Sequence, residues 1–272
     1  MERGLEARRQ IWRVIVSLRS KILASACVLA VGAFAVPAGA TNFDGVFSGD
    51  YSHLDANGGG SANSWGASGS GAFGLGGDWA GEIDGGYHNL NGSGTNVDLW
   101  DVDGSVMWRT MQGRAGLVVG YDDASGGGVS INATNYGAFG EWYASPHFTV
   151  GAKGGWFNAN HGVDGDYVGA AVTGYIMPNL SLSGGYDYTH LNHFGNENDW
   201  SVTGEWMFSQ TMPVSVYAGY TNTKISGGGP TIDTWTVGIK LYTDPMPGSM
   251  EDRQRSGAAT WGTSWRPLAL SL

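Results

Sequence analysis

Carboxylates recur two positions apart in the middle of this chain, Glu82 with Asp84 and Asp101 with Asp103, and further ones follow at Asp122, Glu141, Asp187 and Glu205. Side chains of an extended strand alternate between its two faces, so a spacing of two sets both members of a pair on one side. On the same parity the only basic groups are Arg109, Arg114, Lys153 and Lys240. A wall with that balance is electronegative, and where it faces water it attracts cations and repels anions. The same groups could instead satisfy one another as a salt-bridge and hydrogen-bond network that fills the space they face. Both readings are open. Carboxylates as close as Asp84 and Asp103 can share a proton, but in polar surroundings such pairs are more often counter-ion sites than catalytic dyads.

The elements that must hold these groups are strands. In the fourth, Trp100, Val102, Gly104, Val106 and Trp108 share one face, while Asp101, Asp103, Ser105, Met107 and Arg109 share the other. The segments around Trp79, Leu180, Trp200 and Trp235 alternate in the same way, and almost no charge falls on the apolar face. Six pairs of large apolar residues lie eight positions apart: Trp65 and Phe73, Trp79 and Tyr87, Trp100 and Trp108, Phe148 and Trp156, Leu180 and Tyr188, Trp200 and Phe208. At roughly 3.3 Å per residue and a tilt of about 40°, eight residues rise roughly 20 Å, close to the apolar band of a membrane-spanning barrel. These residues, with Trp142 and Trp235, predict two aromatic girdles.

Compact turns near Gly77, Gly113, Pro146, Pro178 and Pro213 set a repeating hairpin of about 33 residues. They divide the chain into twelve strands, approximately 43–54, 64–76, 78–90, 96–111, 113–123, 133–144, 147–158, 165–177, 179–190, 199–210, 213–223 and 232–243. Longer polar stretches separate them at the other end: Asp55 to Ser64, Asn89 to Asn96, Asp122 to Asn135, Asn158 to Asp166, His190 to Asp199 and Asn222 to Asp233. The expected fold is all-β, a membrane-spanning antiparallel up-and-down barrel whose two ends lie on one side. A soluble β-sandwich alternates too, but its core wants bulk at mid-strand, where this chain has Gly and Ala. Matching girdle residues puts Trp79 near Trp108, Tyr87 near Trp100, Asp84 opposite Asp103, and Asp122 close to Asp103.

Residues 1–40 read as a cleaved signal peptide, with basic Arg3 to Lys21, an apolar run from Ile22 to Val36, and Ala38-Gly39-Ala40 before Thr41. The barrel then occupies 41–243 and a C-terminal tail 244–272. Beyond residue 40 there are 8 Lys and Arg against 22 Asp and Glu, which disfavours a nucleic-acid partner. Cys27 is the sole cysteine, so the expected mature chain has neither disulfide nor thiolate site. His53, His88, His147 and His161 fall on different hairpins, which gives a metal site no support, and no cofactor is expected.

In these features the chain resembles the outer-membrane β-barrel proteins of Gram-negative bacteria, porin-like proteins of alphaproteobacteria in particular, over Thr41 to Thr243. The resemblance implies a non-enzymatic channel for passive diffusion of small neutral or cationic solutes. It implies outer-membrane lipid, lipopolysaccharide and the barrel-insertion machinery as partners, with both termini periplasmic, and it leaves the oligomeric state open. Such barrels usually end on an aromatic that the machinery reads. Gly238-Ile239-Lys240-Leu241-Tyr242 resembles that signal, although a tail follows it. Other outer-membrane barrels hydrolyse lipids, and the residues here with the right chemistry are His190, Asn192, His193, Asn196 and Ser201, which match no motif of those enzymes. A structural or adhesive barrel is a third class. For the tail, with Arg253, Arg255, Arg266, Trp261, Trp265, Leu268 and Leu270, disorder is the default; folding into the lumen or lying on the membrane are the alternatives.

Overall fold

A computed structural model describes residues 43–58, 60–92, 95–192, 195–227, 229–243 and 248–257. The signal-peptide reading of 1–40 lies outside them, as do His193 and the tail beyond Gly257. Twelve strands follow in order: β1 (Phe43–Ala56), β2 (Ser61–Gly76), β3 (Trp79–Gly92), β4 (Thr95–Thr110), β5 (Gly113–Gly126), β6 (Val129–Ser145), β7 (Phe148–Ala159), β8 (Asp164–Met177), β9 (Leu180–Leu191), β10 (Gly195–Ser209), β11 (Met212–Ile225) and β12 (Thr231–Tyr242). Each pairs antiparallel with its neighbours, and β1 pairs with β12 from Val46–Tyr242 to Ala56–Ile232, so the sheet closes. Closure leaves no edge, and every strand finds its ladder partners within the wall.

The register is the one that the girdles predict. Trp79 stands opposite Trp108, Tyr87 opposite Trp100 and Asp84 opposite Asp103. Alternation splits each strand as expected: Trp79, Trp100, Trp108 and Trp200 point outward and are 40–54% exposed, which rules out a dry centre built from tryptophan. Carried through the registers, the same parity turns Phe73, Tyr87, Phe148, Trp156, Tyr188, Phe208 and Trp235 outward as well.

One part of the girdle goes beyond a same-strand spacing. Five tyrosines sit directly across a strand pair from a tryptophan: Tyr51 and Trp65, Tyr87 and Trp100, Tyr136 and Trp156, Tyr186 and Trp200, Tyr220 and Trp235. In four of them the tyrosine hydroxyl donates to an Asn or Asp one rung further toward the loop end: Tyr51 to Asn63 (2.7 Å), Tyr87 to Asp98, Tyr186 to Asn198 (2.7 Å) and Tyr220 to Asp233 (2.6 Å). In the fifth, Tyr136 accepts from Asn158. The apolar ring body thus ends in a polar tip at a fixed height, the arrangement suited to an interface.

The loops differ from expectation. Strands run on through most of the polar stretches, and the connections at that end span only two to five residues, 57–60, 93–94, 127–128, 160–163, 192–194 and 226–230. Asn89, Asn91, Ser125, Ser130 and Asn132 stay in the ladder because cross-strand pairing outweighs their turn preference. At the opposite end are five two-residue turns, such as Met111–Gln112 and Pro178–Asn179. Glycine supplies the positive φ at Gly127 (58°) and Gly128 (87°), whereas in the 160–163 connection His161 adopts it (61°).

Within the tail, residues 248–257 depart from the default of disorder. Met250–Ser256 forms a helix, here α1, opened by a capping box in which Ser249 and Asp252 bond reciprocally. It is ordered against the inner wall: Met250 is fully buried with Tyr175 and Met207.

Candidate functional site in the barrel lumen

Inward side chains form three levels. At the loop end apolar clusters line the wall, Leu54 with Leu90 and Ile232, and Phe157 with Val163, Tyr167 and Leu191. At the tight-turn end Ala80, Met107, Val118 and Phe139 pack together, as do Val46, Ala72 and Tyr242. Asp84, Asp103 and Asp122 lie between these levels, while Arg109, Arg114 and Glu141 stand close to the tight turns.

On β3 to β6 the acidic groups meet as their spacing predicts. Asp84 faces Asp103 across the ladder, Asp101 faces Asp122, and Asn135 Nδ2 donates to Asp103 Oδ1 (3.3 Å) and Asp122 Oδ2 (2.9 Å). Glycine makes this convergence possible: a Cβ on Gly86 would come 2.8 Å from Asp101 Oδ1. Asp84, Asp103 and Asp122 are each more than nine-tenths buried.

The basic groups are distributed around the ring. Arg114 pairs with Glu141 (2.8 Å), Lys153 with Asp187 (3.2 Å) and Lys240 with Glu205 (2.7 Å). Glu205 also accepts from Ser215 (2.6 Å) and from Tyr242 (2.6 Å), so a buried carboxylate holds three strands together. Arg109 instead donates to the Ser256 carbonyl of α1 (2.8 Å). Three cations of the wall are thus tied into ion pairs, and on the acidic side an amide bridges Asp103 and Asp122.

The wall opposite is small and hydroxylated. Ala171, Thr173, Ser181, Ser183, Gly185, Ser201 and Thr203 on β8 to β10 border a cavity of about 290 Å³, with Glu205, Lys240 and Gln254 also lining it.

No protein-family model and no curated protein sequence matches the chain. Among solved structures it is similar to the KdgM porin in complex with disordered oligogalacturonate, at 12% identity and a TM-score of 0.51, over 71% of this chain and 98% of that one. It is likewise similar to an outer membrane channel from Pseudomonas putida F1, at 13% identity and a TM-score of 0.53, over 76% and 97%. The fold is that of the outer-membrane porins. At these identities the likeness is one of fold.

Within this porin fold four further inward acids escaped the sequence reading: Asp44, Asp50, Glu197 and Asp199. Glu197 and Asp199 lie in a stretch that reads as loop but is strand, and β1 carries too few large apolar residues for its parity to show. Asp50 lies 3.7 Å from His88 Nδ1. Among the described residues, those with hydrolase chemistry do not assemble; His193 lies outside them. His190 faces outward, where its Nδ1 meets Asn196 Oδ1 (2.7 Å), Asn192 donates to Asp164 (3.1 Å), and Ser201 lies on the inner face.

Proposed function

We propose that this protein is an outer-membrane channel through which small neutral or cationic solutes diffuse, with the tight-turn end and both chain ends in the periplasm. The observation that carries the reading is the pairing of two faces on one closed ring: tryptophan, valine and leucine outward, and inward a set of carboxylates on one wall with a hydroxyl-lined hollow on another. Such a hollow holds water, and buried acids facing it raise the local concentration of cations over anions. The acids from Glu82 to Glu205 set this preference, and the girdle residues fix the barrel in the bilayer against lipid and lipopolysaccharide. Solved porin and channel structures of the same fold support the reading. Passage needs no cofactor and no catalytic group.

The test is single-channel recording in planar bilayers under a salt gradient. Stepwise conductance with a reversal potential toward cations is the expected result, and Asp84→Asn combined with Asp103→Asn moves that potential toward zero. A bilayer that stays silent with the full-length chain and with a chain ending at Thr243 removes the channel reading. An anion preference removes the solute class.

A further inference from the structure

The tight-turn mouth of the barrel is built as a seat for a helix. Both ends of an α-helix carry backbone groups with no partner inside the helix, and here the barrel supplies partners to both. At the N-terminal end Met250 N–H donates to the Pro178 carbonyl (2.7 Å), and just before it Gly248 N–H donates to the Gln210 carbonyl (3.3 Å). At the C-terminal end two arginines from the wall take the carbonyls: Arg114 donates to Gln254 (3.2 Å) and Gly257 (3.0 Å), and Arg109 to Ser256. Cations at a helix C-terminus also oppose the helix dipole favourably.

The helix reaches across the opening. Arg255 donates to Thr149 Oγ1 (3.0 Å) and lies 4.6 Å from the Tyr143 ring centre on one side of the ring. On the other side Tyr242 shares Glu205 with Gln254, and a Cβ on Gly257 would stand 3.3 Å from Asp44 Cβ on β1. Strands β1 and β7 are diametrically placed in a ring of twelve. Twelve strands at about 4.8 Å spacing and a tilt of about 40° give a ring roughly 24 Å across, or roughly 12 Å inside the inward side chains. A helix with its side chains is about 10–12 Å wide. It fills the mouth.

We propose that α1 is a resident plug, held in the mouth as a ligand would be, and that its departure opens the periplasmic end of the channel. The proposal rests on the channel reading and adds its regulation. With α1 seated, Gln254 stands in the wall of the 290 Å³ hollow, on the side toward the tight turns. With α1 gone, Arg109 and Arg114 lose their carbonyl partners and the acidic lumen opens to solvent at both ends.

The geometry offers a reversible lock. Disulfides place their Cβ atoms roughly 3.5–4.5 Å apart, close to the Asp44–Gly257 separation, and the chain has no cysteine after Cys27. Planar-bilayer conductance is compared for the full chain, a chain ending at Thr243, and Asp44→Cys combined with Gly257→Cys. The shortened chain is expected to conduct several-fold more than the full chain. The oxidised cysteine pair stays at the low level without opening events, and reduction restores the behaviour of the full chain. Equal, nonzero conductance of full and shortened chains overturns the plug while leaving the channel standing. So does an oxidised pair that conducts like the shortened chain. If the shortened chain does not fold, the oxidised and reduced states of the cysteine pair decide alone: the same conductance in both overturns the plug. Silence in every variant overturns the channel reading and the plug with it.

Discussion

The backbone of Gly120 on β5 lies directly against the carboxylate of Asp103 on β4: a Cβ there would stand 1.5 Å from Asp103 Oδ1 and 2.6 Å from Asn135 Nδ2. One missing methyl group thus lets an aspartate and an asparagine from two strands meet over a third. At Gly104 on β4 the same absence has no such role, since a Cβ there would meet nothing within 4 Å.

Gly120→Ala is accordingly expected to lower the stability of the refolded barrel by about 1–3 kcal/mol, the cost of overpacking a filled site. Gly104→Ala should stay within about 0.5 kcal/mol of the parent. Urea titration in lipid vesicles, followed by tryptophan fluorescence, separates the two. Equal midpoints would show that the amide bridge among Asp103, Asp122 and Asn135 is not packed as described.

Glu205 is buried among Lys240, Ser215, Tyr242 and Gln254. Removing Lys240 alone leaves that carboxylate without its cation, so Lys240→Met should destabilise by roughly 2 kcal/mol, a charged hydrogen bond lost at a site still partly open to the lumen. Adding Glu205→Gln should recover a large part of that loss. A double-mutant cycle by the same titration reads the coupling, and strict additivity would mean that the pair contributes nothing.

Val119 faces outward opposite Gly104, midway between the levels of Trp100 and Trp108, and is 57% exposed. Arginine at that depth costs about 2–4 kcal/mol against lipid, so Val119→Arg should fold poorly into vesicles. Ser183→Arg, on the wall of the lumenal cavity, should fold normally and reduce conductance. The opposite order in gel-shift folding yields would reverse the assignment of faces.

The barrel was largely legible because a membrane imposes one rule on every strand: lipid side apolar, other side polar. Trp100 to Trp108 displays that rule alone, and matching girdles was enough to set Asp84 opposite Asp103. Legibility fell where the rule lapses. Beyond the girdle the outward face turns polar and the apolar residues, such as Leu90 and Ile131, move to the inward face, so Asn89 to Asn96 and Asp122 to Asn135 read as loops although strand runs through most of each. Glu197 and Asp199 were lost with them. The tyrosines across from Trp65, Trp156 and Trp235 belong to cross-strand geometry, which spacing along one strand does not encode. The fold of Met250–Ser256 was hidden for another reason. Seven residues form no stable helix by themselves, and their partners Arg109, Arg114 and Pro178 lie 70 or more positions away in the sequence.

That seat has a consequence for how the molecule is made. Its walls come from both sides of the seam where the first strand meets the last, Asp44 on one and Tyr242 on the other, with Tyr143 and Thr149 facing them. None of these surfaces stands in its final position before the ring is sealed. Helix α1 can therefore settle only after assembly is finished, and its presence marks a molecule that has been completed.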